Sequence, residues 1–161
     1  MAEATIEQVG IEAVLPVRMR VLRDGTPSDD PRFDGDDDPT TVHLAAVADG
    51  QVVAVSTWLE RPWRLEPRRR AAQLRGMATL ASSQGTGIGA LLLDAGVRRA
   101  FDAGAEIVWA NARDSALGFY LRHGFEIEGE GFRTLDTDLP HHRIIRRAGA
   151  ASAGPGPAAR L

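Results

Sequence analysis

The chain has 161 residues, 43% of them hydrophobic and 25% charged, with a formal net charge of −3 and a pI near 5.8. That length fits one domain with a substantial core, and the acidic balance argues against nonspecific nucleic-acid binding. There are no cysteines, which excludes disulfides, thiolate metal sites and cysteine nucleophiles, and there is neither a signal-peptide pattern nor a long apolar run, so no secretion and no membrane span are expected and a cytoplasmic location remains.

Ile6 to Val9 reads as a short edge strand. Ile11 to Arg23 follows as a helix, with Ile11, Val14, Leu15, Met19 and Leu22 near helical spacing and Pro16 as a point of kinking or initiation. Asp24 to Thr40 is a polar loop crowded with aspartates. Val42 to Ala48 and Gln51 to Leu59 are antiparallel strands joined by Asp49-Gly50, a type I′ hairpin signal. Arg61-Pro62-Trp63 interrupts, and Ala71 to Leu80 is the third strand of a meander.

A glycine-rich turn, Gln84 to Ala90, comes next, and the apolar stretch through Phe101 is a helix. Asp94, Arg98 and Asp102 form its exposed stripe. Ile107 to Asn111 is a buried strand. Asp114 or Ser115 is the expected N-cap of a short helix, Ala116 to Arg122, with Gly124 just beyond its end. Phe125 to Thr134 and His142 to Arg147 are the last strands, turned at Asp136 to Pro140. The domain is expected to span 1–147, and 148–161, made of Ala, Gly and Pro, reads as a disordered tail.

Two charge runs stand out. Asp24, Asp29, Asp30, Asp34, Asp36, Asp37 and Asp38 crowd one segment, and Arg61, Arg64, Arg68, Arg69, Arg70 and Arg75 another. Solvated loop surface explains both. The functional alternative sets the acidic run against a cationic, polyamine-like acceptor and the basic run against coenzyme phosphates.

The stretch from Leu74 to Phe101 carries the most information. Strand, glycine turn and helix N-terminus together make an anion cradle, because the first helical N–H groups lack partners and the macrodipole adds positive potential. A P-loop is excluded, since all 19 basic residues are arginine and the motif needs lysine. Gly85, Gly87 and Ala90 fit a dinucleotide fingerprint by letter, but the following strand ends in Asn111 and not in the acid that fingerprint wants.

Gln84-Gly85-Thr86-Gly87-Ile88-Gly89 resembles the pyrophosphate loop of the GCN5-related N-acetyltransferases (GNAT). A second stretch supports the likeness: a strand ending in Asn111, a helix carrying Phe119-Tyr120, and then Gly124-Phe125. The resemblance covers roughly Val42 to Arg147. It implies a mixed, mostly antiparallel sheet flanked by helices, with a splayed strand pair holding coenzyme A. It also implies acetyl transfer from acetyl-CoA to a primary amine, a small molecule in the main reading, by direct attack through a tetrahedral intermediate. Many relatives are dimers, so a homodimer is compatible.

By the same resemblance, Met77, Ala78 and Thr79 would meet the pantetheine arm, and Gln84, Gly85, Thr86, Gly87, Ile88, Gly89 and Ala90 the pyrophosphate. Asn111, Ser115 and Phe119 would complete the coenzyme site, and an amide near Met77 would polarise the acetyl carbonyl. Tyr120, the single tyrosine, would protonate the departing thiolate. The general base is expected at His141, then His142, with Glu60 and His43 as further candidates. No metal is called for. The alternative function is a non-catalytic acyl-CoA-binding or regulatory module, and a nicotinamide-dependent reductase is a distant third.

Overall fold

A computed structural model of the chain describes residues 3–149, so the expected tail beyond Gly149 lies outside the described residues. The elements are β1 (Ala4–Val9), α1 (Ile11–Leu22), β2 (Val42–Ala48), β3 (Gln51–Glu60), β4 (Ala71–Thr79), α2 (Ile88–Asp102), β5 (Ile107–Arg113), α3 (Leu117–Arg122), β6 (Glu126–Arg133) and β7 (Pro140–Arg147). They build one seven-stranded sheet in the order β1-β2-β3-β4-β5-β7-β6. Every neighbouring pair is antiparallel except β4 and β5. Among the described residues no helix is long and apolar enough to cross a membrane.

Helices cover both faces. On one face α2 sends Leu92, Leu93 and Val97 into a core with Leu44, Trp58, Leu74, Val108 and Ile144. On the other, Val14 and Val17 of α1 pack on Ala45, Val55 and Ala78. This double cover explains why β3 is buried along a continuous run from Val53 to Leu59, where a half-exposed strand would alternate. Gly96 is small for a stated reason: a Cβ there would stand 2.0 Å from the Trp58 ring. Trp58 is therefore a core residue, with its indole N–H donated to Ser56 Oγ at 2.9 Å. Trp63 packs on Ile107, Ile145 and Trp109.

Local signals act as their chemistry demands. Asp49 (φ 51°) and Gly50 (φ 74°) both take positive φ, as a type I′ turn requires. Pro16 lies inside α1, which continues through it to Leu22. The expected side-chain N-cap of α3 does not form. Asp114 instead accepts from His142 Nδ1 at 2.6 Å, and Gly124 ends the helix at φ 88°.

Two irregularities open the sheet. The β3–β4 register passes from Thr57↔Arg75 to Val55↔Ala78, so β4 carries one extra residue, with Gly76 at φ 62° inside the bulge. Beside it, β4 and β5 pair only from Ala71↔Ile107 to Leu74↔Ala110. Beyond those residues β4 stays with β3 and β5 with β7, so the two parallel strands splay into a V.

Candidate active site

The V opens into a cleft of about 810 Å³. Its walls come from the ends of α1, β4, β5 and α3, from the glycine turn, and from the β6–β7 turn. At one end lies the turn itself. Gly85 and Gly87 take φ of 78° and 88°, conformations that L side chains rarely adopt. The first bond of α2 runs from Leu91 N–H to the Gly87 carbonyl at 3.0 Å. Among the described residues, the N–H groups of Gly85 through Ala90 meet no protein acceptor. This run of unpaired amides leads into a 15-residue helix, and those of Gly85, Gly87, Gly89 and Ala90 belong to residues that line the cleft, where they add partial positive charge. Gln84 donates from Nε2 to the Thr79 carbonyl at 3.0 Å, which ties the turn to the end of β4.

The middle of the cleft is the splay. The edge of β4 from Arg75 to Thr79 that faces β5 has no ladder partner, so an extended chain laid in the gap can pair with it. Asn111, Ser115, Phe119 and Tyr120 line the same space. Tyr120 is 6% exposed, with its ring edge-on to Phe119 at 5.3 Å and to Phe125 at 5.6 Å. Burial pushes its phenol well above the ordinary tyrosine range, so it stays protonated. No protein group hydrogen-bonds its hydroxyl among the described residues, which leaves the proton for a bound molecule.

Of the expected site residues, Met77, Ala78, Thr79, Gln84, Gly85, Gly87, Gly89, Ala90, Asn111, Ser115, Phe119, Tyr120 and His141 line this one cleft. Thr86 and Ile88 belong to the turn without lining it. The two favoured histidines separate. His141 lines the cleft and holds Leu139 O with Nδ1 at 2.8 Å. A carbonyl only accepts, so Nδ1 carries the proton and neutral His141 keeps Nε2 as a lone-pair acceptor. His142 points to the opposite face, paired to Asp114.

His43 is consumed elsewhere. Its Nε2 faces the Asp36 carbonyl at 3.2 Å and its Nδ1 faces Thr57 Oγ1 at 2.7 Å. Glu60 is exposed at the end of β3 and does not line the cleft.

The opposite end of the cleft is formed by the first helix, the acidic loop and the final hairpin, where the family resemblance places an acceptor site, but its individual residues were not named from the sequence. Val21, Leu22, Arg23, Phe33, Arg75, Arg113, Thr134, Asp136 and Thr137 form it. The acidic loop reaches it through Phe33, and a buried ion pair ties that loop to α1. Arg18, fully buried, forks onto Asp36 at 2.8 and 2.9 Å and also donates to Thr57 Oγ1 at 2.6 Å and the Pro31 carbonyl at 3.0 Å. Burial pushes the Asp36 carboxyl up, but the Arg18 hydrogen bond, the Phe33 amide and the charges of Arg18 and His43 outweigh it and hold it below the usual range. Guanidinium groups of Arg18, Arg75 and Arg23 stand 4.3, 4.6 and 5.2 Å from the Phe33 ring centroid. Of the six arginines in the basic run, only Arg75 lines the cleft; Arg69 pairs with Glu66 and Glu106 on the surface. Neither Trp58 nor Trp63 lines it.

Comparison with known proteins agrees with this geometry. The family model described as "Acetyltransferase (GNAT) family" matches residues 13–125. The Bacillus subtilis protein called uncharacterized N-acetyltransferase YitI is 26% identical over 127 residues, spanning 79% of this chain and 85% of that protein. Among solved structures, an acyl-CoA N-acyltransferase from Pseudomonas aeruginosa superposes with a TM-score of 0.71 at 23% identity, over 91% of this chain and 99% of that one. Escherichia coli ElaA gives 0.73 at 17% identity, over 91% of this chain and all of that one. The chain shares its fold with those two structures, and the family model, which matches more than half of its length, shows that the chain belongs to the GNAT acetyltransferase family.

Proposed function

We propose that the protein transfers the acetyl group of acetyl-CoA to the amino group of a small acceptor. The run of unpaired amides from Gly85 to Ala90, at the head of α2 and beside the parted strands, carries this reading. Those amides and the helix dipole suit a diphosphate. The free edge of β4 around Met77, Ala78 and Thr79 suits an amide-bearing arm that adds to the sheet like a strand. Acetyl-CoA supplies an activated thioester.

Residues of this chain then handle position and protons. A main-chain amide at the β4 bulge near Met77 polarises the acetyl carbonyl and stabilises the oxyanion of the tetrahedral intermediate. The acceptor nitrogen attacks the carbonyl carbon and forms the C–N bond of the tetrahedral intermediate, whose collapse then breaks the C–S bond. Nε2 of His141 receives the proton that the amine loses, directly or through a water. Tyr120 donates its hydroxyl hydrogen to the departing sulfur. Because burial raises the phenol above a thiol of pKa about 8.5, Tyr120 acts chiefly by hydrogen bonding to the developing thiolate. Asn111 and Ser115 orient the coenzyme between these groups.

The reading is tested by thiol release from acetyl-CoA over a panel of amines, with mass spectrometry of the acceptor. Amine-dependent release with an acceptor gain of one acetyl group supports it. Tight acetyl-CoA binding with no transfer to any amine would favour a binding module.

A further inference from the structure

The cleft's far wall carries more positive charge than its neighbours neutralise. Arg23, Arg75 and Arg113 line it, and Asp136 is the one carboxylate among the lining residues. Arg23 takes that carboxylate, at 3.6 Å, and also donates to the Asp30 carbonyl at 2.9 Å. Arg113 donates only to the Leu22 carbonyl, at the end of α1. Arg75 reaches the Asp34 carbonyl at 3.5 Å and the Phe33 ring. Among the described residues, neither Arg75 nor Arg113 has a carboxylate partner, and both are partly withdrawn from water.

The strands explain why these groups converge. Leu74, Ala110 and Ala112 point into the core under α2. Residues alternating with them, Gln73 and Arg75 on β4 and Asn111 and Arg113 on β5, therefore face the other side, running from the closed end of the V at Gln73 to its open arm at Arg113. Gln73 is 4% exposed, lines the cleft, and leaves Oε1 without a partner. A partly dehydrated guanidinium without an anion is unfavourable, and so is a buried unpaired carbonyl oxygen. One molecule bearing both an oxyanion and an N–H donor satisfies the set.

The acidic loop does not reverse this sign. Asp36 is spent on Arg18 inside the protein, and Asp34 faces outward on Arg61 at 3.3 Å. The expectation of a cationic, polyamine-like acceptor drawn from the aspartate run is not supported by where those aspartates lie.

We infer that the acceptor is a small amine that also carries an oxyanion, a carboxylate or phosphate, seated by Arg75 and Arg113 while its nitrogen faces the splay. This rests on the acetyl-transfer reading. Arg23, tied to Asp136 and Phe33, backs the pocket, and Gln73 Oε1 accepts from the amine end. Guanidinium forks match carboxylate and phosphate oxygens in pairs, which makes the wall a determinant of specificity as well as attraction.

The test uses paired acceptors with the whole chain and acetyl-CoA: amino acids against their amides, phosphoethanolamine against ethanolamine, and spermidine. The oxyanion-bearing member of at least one pair should exceed its neutral partner in kcat/KM by about 100-fold or more, since a site built for a polar group rejects its absence strongly. The pair that responds tells carboxylate from phosphate. In Arg75→Gln and Arg113→Gln that ratio should collapse about tenfold or more, with partial recovery in Arg75→Lys and Arg113→Lys, whereas a merely structural role would lower both members together. Acetyl-CoA affinity, read by calorimetry, should stay within about threefold, because neither guanidinium belongs to the amide turn that seats the diphosphate. Equal rates within every pair, or a preference for spermidine, would overturn the inference and leave acetyl transfer standing. Absence of both coenzyme binding and thiol release would overturn both.

Discussion

Replacing Tyr120 by Phe removes one oxygen and little else. The ring is clamped between Phe119 and Phe125, at 5.3 and 5.6 Å, and its hydroxyl holds no protein partner among the described residues. The variant should therefore fold with a melting temperature close to that of the parent, because no buried partner is left unsatisfied. Catalysis should suffer much more. Removing one positioned hydrogen-bond donor from a developing anion costs about 10²–10³-fold, so kcat should fall by that factor, about 3–4 kcal/mol of barrier. The assay is steady-state thiol release, paired with calorimetric titration of acetyl-CoA, whose affinity should be little changed. The pH dependence carries a sign as well. Since burial raises the phenol pKa, the donor form persists through the alkaline range and Tyr120 should impose no loss of kcat below pH about 10. A variant turning over within about threefold of the parent on a confirmed acceptor would remove Tyr120 from the mechanism.

Three further outcomes follow from the geometry. His141→Gln should lower kcat/KM by about 10²–10⁴-fold, and His142→Gln should leave it near the parent value, as read from rates with one acceptor. Asp36→Asn leaves Arg18 buried without its counter-charge and should destabilise the protein by about 3–5 kcal/mol in urea unfolding, whereas Asp34→Asn, on an exposed pair, should change it by less than about 1 kcal/mol. The folded-state pKa of Asp36 is depressed, so its contribution is present above about pH 3.9 and is lost as pH falls through the lower folded value. A Cβ at Gly87 meets no atom within 4 Å, so the effect of Gly87→Val is chiefly conformational: positive φ at a β-branched residue should cost about 1–3 kcal/mol of stability and disturb the amide run, and Gly87→Asn should be milder.

Much of the frame was legible in the chain because local chemistry determined it. Asp49-Gly50 specified its hairpin, and the glycine turn marked the head of α2. The parting of β4 from β5 was expected only from the family resemblance, and the residue at which it begins, set by distant pairing, was not. Pairing between β4 and β5 stops at Leu74, and no local pattern in Gln73 to Thr79 announces it. Gly76 was a letter in a strand until the register exposed the bulge.

Charge was the least readable feature. The aspartates looked like one surface, yet Asp36 is buried on an arginine from α1, 18 residues earlier, while its neighbours face water. Arg75 looked like part of a solvated basic run and lines the cleft. Arg113 was read as lying beyond the strand that in fact carries it. Only strand alternation, applied to the correct strand ends, could have brought Arg75 and Arg113 together. Similarly, adjacency in sequence hid the difference between His141 and His142, which a strand necessarily sends to opposite faces.

The central claim is that the amides of Gly85 to Ala90 and the parted edge of β4 hold the coenzyme. Isothermal titration of the intact chain with acetyl-CoA tests it most directly. One-to-one binding with a Kd in the range of about 1–100 μM, retained in Tyr120→Phe and weakened at least about tenfold in Gly87→Val, is the expected result. No heat with the parent protein, or equal affinity in Gly87→Val, would contradict it.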